Sequence, residues 1–270
     1  MHQLLRFPAY YWRARTAFSM HSPILYAFCG QVLDDGRQFY AFEEIEAWRA
    51  ALLSDDRTLD ILDLGSGGRH QPVQQRAIRA VAEQSVSPPW KGRMLFRTMC
   101  WWKPDLIVEL GTSLGISTAY LAMARSTTPV VTIDGAEQLH EIARKGWKDL
   151  DIRNITTITS SFSEALVQLP WRNSQRPAIY LDGDHDPTRV LALLEEIRLF
   201  ANQPFLVIID DIRWSSAMWT GWNQWQARFP YGAWVDLFQM GIWIHDPAFL
   251  QQQRQTLIPR QYKPFRLGWI

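Results

Sequence analysis

The chain has 270 residues, 47% hydrophobic and 20% charged, and its 28 Lys and Arg nearly balance 27 Asp and Glu. This is the composition of a soluble globular protein with a large core, and a formal net charge of +1 argues against a protein built mainly to grip nucleic acid. Cys29 and Cys100 fit neither a disulfide framework nor a zinc site. No apolar run reaches the roughly 18 residues of a membrane span, and Arg6, Pro8, Arg13 and Arg15 interrupt any signal-peptide core, so a reducing cytoplasm is the expected location.

From Met1 to about Pro104 the pattern predicts mostly helices. Ser22 and Pro23 read as N-cap and first helical residue of a segment running to about Leu33, and further helices are expected at 42–53, 72–85 and 91–102. The stretch 69–103 holds seven Lys or Arg against the single acid Glu83, which reads as a solvated basic face or, less simply, an anion-binding one. After Pro104 short apolar runs alternate with helical patterns, the signature of βαβ units. The predicted strands are Leu106 to Leu110, Val130 to Ile133, Ile155 to Thr159, Ala178 to Leu181 and Phe205 to Ile209. Ala233 to Phe238 and Ile242 to His245 suit a closing antiparallel hairpin. Six Trp crowd into residues 214–243, most of them expected to pack a helix over 215–229 onto the sheet, with Trp214 the best candidate for a pocket wall.

The first strand of this series runs into Glu109-Leu-Gly111-Thr112-Ser-Leu-Gly115-Ile-Ser117-Thr118. Gly111 and Gly115 remove side chains where a ligand must approach backbone, and N–H groups at a helix start favour an anion. The spacing is not the GxGxxG of dinucleotide enzymes. A rival cluster, Asp63-Leu-Gly-Ser-Gly-Gly68, has no acid on a following strand, whereas Asp134 ends the second strand 25 residues after Glu109, where an acid can hold a ribose. The rival is therefore expected to be a loop. Two further strands end in acids: Asp182, and Asp210 with Asp211, 28 residues later. If those strands are parallel neighbours, their tips lie about 5 Å apart. Carboxylates so close repel unless a cation sits between them, and oxygen ligands at an open sheet edge suit Mg²⁺. His185 stands three residues past Asp182, and an imidazole can accept a hydroxyl proton near neutral pH. Asp186, followed by Pro187, reads as a helix N-cap. His21, His70, His140 and His245 lack such context and are expected to be structural.

At these residues the sequence resembles the class I S-adenosylmethionine-dependent methyltransferases, in particular the cation-dependent O-methyltransferase type, over about 105–246. The resemblance implies an α/β, Rossmann-like, doubly wound and mostly parallel seven-stranded sheet in the order 3-2-1-4-5-7-6, preceded by a helical extension or lid over 1–104 and forming the methyltransferase domain over 105–270. It implies that Glu109, Gly111, Thr112, Gly115 and Ser117 hold the methionine end of S-adenosyl-L-methionine and Asp134 its ribose. Ser161 and Phe162, after the third strand, would meet the adenine, and Asp184 would face the cofactor. Asp182, Asp210 and Asp211 would bind Mg²⁺ or another divalent cation. Asp182 and His185 would be catalytic, His185 standing where other branches carry a lysine. A small-molecule acceptor follows, and Phe18, Tyr26 and Phe28 are candidates for a lid or a homodimer face. Two other classes stay open on these residues: a metal-dependent enzyme of another reaction type, and a non-catalytic binding module using the basic 69–103 segment.

Overall fold

The computed structural model describes residues 2–61, 74–162, 164, 174–183, 185–200 and 203–263. In chain order they form α1 (His2–Arg13), α2 (Pro23–Phe28), α3 (Tyr40–Leu53), β1 (Thr58–Ile61), β2 (Gln74–Ala77), α4 (Ile78–Ser85) and α5 (Pro89–Trp102). Then come β3 (Leu106–Leu110), α6 (Ile116–Ala124), β4 (Val130–Asp134), α7 (Glu137–Asp149), β5 (Ile155–Thr159), β6 (Pro177–Leu181), α8 (Pro187–Ile197), β7 (Phe205–Ile209), α9 (Ser216–Arg228), β8 (Ala233–Asp236), β9 (Gly241–His245) and β10 (Gln253–Thr256). The chain divides into two compact units, residues 37–184 and residues 1–36 with 185–270.

In the first unit β3 pairs in parallel with both β4 and β6, and β4 pairs in parallel with β5. Every residue of β3 and β6 is buried, as expected of strands covered on both faces. Helices α3 to α7 supply the cover. Phe42, Ile45, Phe96, Tyr120 and Trp147 belong to one buried cluster, in which Phe42 meets Phe96 edge to face at 5.1 Å. Several basic residues of 69–103 are occupied here: Arg93 lies 3.8 Å from Glu46 and over the Phe42 ring, Arg97 donates to Arg37 O (3.0 Å), and Lys91 is buried.

The helix expected over 72–85 begins only at Ile78. Residues 74–77 are instead β2, antiparallel to β1. A four-residue strand of Gln, Gln, Arg and Ala carries no apolar run, so only its pairing with Thr58–Ile61 reveals it. Ser22 does precede α2, but its side chain makes no capping hydrogen bond, and the helix continues as a π-turn over Cys29–Leu33. The rival Asp63 to Gly68 cluster and His70 lie outside the described residues.

In the second unit β7 and β8 each pair antiparallel with β9, and β10 lies parallel to β8, an edge strand that the alternation of residues did not announce. Trp222, Trp225, Trp234 and Trp243 are all buried, with Trp234 stacked on Trp243 at 4.8 Å, so most of the Trp cluster is core. The N-terminal segment packs on β10: Tyr10 Oη donates to Leu257 O (2.5 Å) and Ile258 N donates to Arg15 O. Lys263 Nζ donates to Tyr11 O and Ala14 O, satisfying carbonyls at the end of α1. Among the described residues no helix is long and apolar enough to cross a membrane.

Candidate functional site

The glycine-rich turn after β3 holds its shape through backbone that only glycine accepts easily. Gly111 has φ +105° and Gly115 +79°. A Cβ on Gly111 would stand 2.7 Å from Gly183 N, and one on Gly115 2.7 Å from both Ala143 and the Trp147 ring. Trp147 Nε1 also donates to Gly115 O (2.9 Å). Ser113 between them has φ +46°, and its N–H donates to Asp134 Oδ2 (2.8 Å), while Asp134 Oδ1 accepts from Ala136 N (3.0 Å). The acid that ends β4 thus clamps the turn that follows β3. An acid at the end of the second parallel strand stands where a ribose hydroxyl pair can be held.

Glu109 sits beneath this turn, fully buried. Its Oε2 accepts from Thr118 Oγ1 (2.5 Å) and Thr132 Oγ1 (2.7 Å), and its Oε1 has no partner among the described residues. Burial pushes its carboxyl up to about 7, against the lowering effect of the hydroxyls of Thr118, Ser117 and Thr132. The network continues through Thr132 Oγ1 to Thr112 Oγ1 (2.6 Å), and from Thr112 to His140 Nε2 (3.1 Å). His140 Nδ1 meets Thr159 Oγ1 (2.9 Å), and burial lowers the pKa of its ring. Sequence reasoning left His140 as structural and did not mark Thr118 or Thr132. The available signal was a polar residue inside a wholly buried run, as in Val-Val-Thr132-Ile, since such a group needs an interior partner.

A folded-state pKa above the unfolded one means that Glu109 binds its proton more tightly in the native protein. Its stabilising contribution is complete below about 4.5 and is lost as pH rises through about 7. The expected size is on the order of 3 kcal/mol. Glu109→Gln, which cannot ionise, should therefore lose less stability than the parent between pH 5 and pH 9 in urea unfolding. Parallel losses in both proteins would show that Glu109 does not titrate in this range.

The other expected residues of this unit are placed as follows. Ser117 is buried in the first turn of α6, and Ser161 is buried with its Oγ donating to Glu164 Oε2 (2.8 Å). The Phe162 ring lies where a Cβ on Gly183 would stand, 2.3 Å from that position, so Phe162, Gly183 and Gly111 adjoin. Asp182 Oδ2 accepts from Tyr180 Oη (2.9 Å). Asp184 lies outside the described residues.

In the second unit the His185 ring stacks on Trp214 at 5.5 Å, and its buried Nδ1 has no partner among the described residues. Asp210 is buried, with Oδ1 accepting from Asp211 N (2.9 Å), and Asp211 takes φ +51°, a conformation uncommon outside glycine and often met at functional turns. Asp186 caps α8 as expected, accepting from Thr188 N (2.8 Å) and Arg189 N (3.1 Å). His245 packs between Phe205 and Tyr231. Among the described residues no three His, Cys, Asp or Glu side chains converge as a metal-binding group.

Residues 108–212 match the family described as a methyltransferase domain. That segment is less than half of the chain, and over it the chain is similar to S-adenosylmethionine-dependent methyltransferases. The chain is 30% identical over 88 residues to a protein-L-isoaspartate O-methyltransferase of Hahella chejuensis, a match spanning 32% of this chain and 41% of that protein. It also resembles two solved structures. One is a Podospora anserina methyltransferase with S-adenosylhomocysteine bound, with a TM-score of 0.53, 16% identity, and coverage of 77% of this chain and 88% of the other. The second is an O-methyltransferase of Bacillus cereus in complex with S-adenosylhomocysteine, with a TM-score of 0.51, 17% identity, and coverage of 78% and 93%. At such identities the likeness is one of fold, and it agrees with the mostly parallel, helix-covered sheet.

Proposed function

We propose that this protein moves a methyl group from S-adenosylmethionine to an oxygen of a small acceptor, with a divalent cation assisting. The observation that carries the reading is the glycine-rich turn after β3, where Gly111 and Gly115 leave no room for a Cβ and Asp134 holds the turn from the end of β4. These residues suit the cofactor: a turn with bare backbone for its methionine end and a carboxylate at the end of β4 for its ribose. Glu109, Thr112 and Ser117 complete the methionine side, and Ser161 and Phe162 the adenine side; Asp184 is assigned to the cofactor from the family resemblance alone. The choice of oxygen as acceptor atom draws on the O-methyltransferases among the relatives.

S-adenosylmethionine supplies, when bound, an electrophilic methyl group on a sulfonium. The chain's own task is to place the acceptor oxygen in line with it and to remove that oxygen's proton, which His185 would take at Nδ1. Of Asp182, Asp210 and Asp211, which do not converge as a set of three, one or two carboxylates would hold the cation, which would lower the acceptor hydroxyl's pKa. An all-oxygen donor set suits Mg²⁺ or Mn²⁺, and Mg²⁺ commonly binds through one or two carboxylates with water filling the rest.

Titration calorimetry with S-adenosylhomocysteine tests the reading. The parent should bind, and Asp134→Ala should weaken binding by about tenfold or more, the loss of a charge-assisted contact. Asp134→Asn keeps an accepting oxygen for the turn and should fall between the two. An unchanged affinity in Asp134→Ala, or no binding by the parent, would remove the proposed cofactor site.

A further inference from the structure

The unit formed by residues 1–36 and 185–270 encloses a cavity of about 280 Å³ that shares no residue with the glycine-rich turn. Its walls come from α1, the turn after β7, α9, β8 and β10. Four guanidinium groups line it, Arg6, Arg13, Arg213 and Arg254, against one carboxylate, Asp236.

That carboxylate is already matched. Arg213 is buried and donates from Nη1 and Nη2 to the two oxygens of Asp236 (2.6 and 2.5 Å), and Nη1 also donates to Phe238 O (2.6 Å). Its guanidinium lies 4.1 Å from the centre of the Trp219 ring. Arg213 and Asp236 therefore form a closed, neutral floor. The other three cations have no such partner. Arg6 rests over the same Trp219 ring at 5.3 Å, Arg254 donates to Gln226 O (2.9 Å), and among the described residues none of Arg6, Arg13 and Arg254 pairs with a carboxylate. Three positive charges with no carboxylate partner among the described residues face one concavity and repel each other, and an entering anion relieves that repulsion.

The apolar part of the wall specifies the rest of the ligand. Trp219 is half-buried, and Trp222 and Trp234 turn aromatic surface to the cavity from the buried side. Flat aromatic walls beside forked guanidinium donors suit a planar body carrying an oxyanion. We propose that this cavity binds a phosphate monoester borne on an aromatic ring. A dianion balances the three-charge excess better than a carboxylate does, and its three oxygens can accept from more than one guanidinium. The site is independent of the methyl-transfer reading and would stand if that reading fell.

The test is calorimetry on the full chain, with phenyl phosphate as probe and benzoate, inorganic phosphate and phenol for comparison. Phenyl phosphate should bind with a Kd below about 1 mM. Benzoate and inorganic phosphate should be weaker, each lacking half of the match, and phenol should show no binding. Arg13→Gln and Arg254→Gln combined should weaken phenyl phosphate at least tenfold and leave S-adenosylhomocysteine affinity at the parent's value. Arg13 is exposed at the end of α1, so Arg13→Gln alone keeps the test readable should Arg254→Gln disturb β10. Failure of phenyl phosphate to bind at about 10 mM, equal binding of phenol, or unchanged affinity in both the single and the combined variant would each overturn the proposal.

Discussion

His185→Ala is expected to slow the chemical step of methyl transfer by about 10²- to 10⁴-fold, the usual worth of a placed general base. Affinity for S-adenosylhomocysteine should stay close to the parent's, because His185 is not among the residues assigned to the cofactor. Two features of the ring favour this role. Stacking on Trp214 at 5.5 Å with an interplanar angle of 28° fixes the plane of the imidazole, and Nδ1 is buried with no partner among the described residues. A buried nitrogen left unpaired carries a cost that an acceptor hydroxyl at Nδ1 would relieve. Trp214, itself 61% exposed, offers the remainder of its face to an acceptor. Single-turnover rates with saturating cofactor make the measurement, since they separate chemistry from product release. Added imidazole should restore part of the variant's rate. A variant that transfers methyl at the parent's rate throughout would place the base elsewhere.

Turnover should also cease on exhaustive chelation and return with Mg²⁺ or Mn²⁺, a loss bounded only by the residual uncatalysed rate. Asp210→Asn separates charge from shape. The amide oxygen can still accept the Asp211 N–H now bonded to Asp210 Oδ1, so the turn after β7 should persist while the negative charge is gone. Thermal stability of this variant in the absence of metal should equal or exceed the parent's, because a buried carboxylate is costly to desolvate. Its activation by Mg²⁺ should require a much higher concentration. Full activity of the chelated parent would mean that Asp182, Asp210 and Asp211 serve only to shape the strand ends.

Much of the arrangement was legible because it is written in local pattern. Leu106 to Leu110, Ile155 to Thr159 and Phe205 to Ile209 are strands with the same limits that their apolar runs mark. An apolar run bounded by turn residues states the element, and for Leu106 to Leu110 and Phe205 to Ile209 its full burial as well. The glycine spacing from 111 to 115 marked a turn of unusual backbone, and the Asp186-Pro187 pair marked a helix start, since both depend on one or two residues and their own φ and ψ. The Asp134 side chain was singled out by its position, although its hydrogen bond to Ser113 N belongs to the folded chain.

What the tertiary structure alone decided are the partners of polar groups far apart in sequence. Glu109 is held by Thr118 and Thr132, and Thr112 by His140 28 residues away, a network in which no member has a spacing that predicts it. Arg213 is matched by Asp236, 23 residues further along the chain, a pairing that no local pattern marks. β10 finds its place through parallel pairing with β8, and residues 1–36 belong with the C-terminal unit rather than with the helices that follow them. Apolar periodicity is a property of a segment and survives in the bare sequence. The fate of a buried charge or hydroxyl depends on which donor or acceptor the fold brings within about 3 Å, and only packing between distant segments settles that.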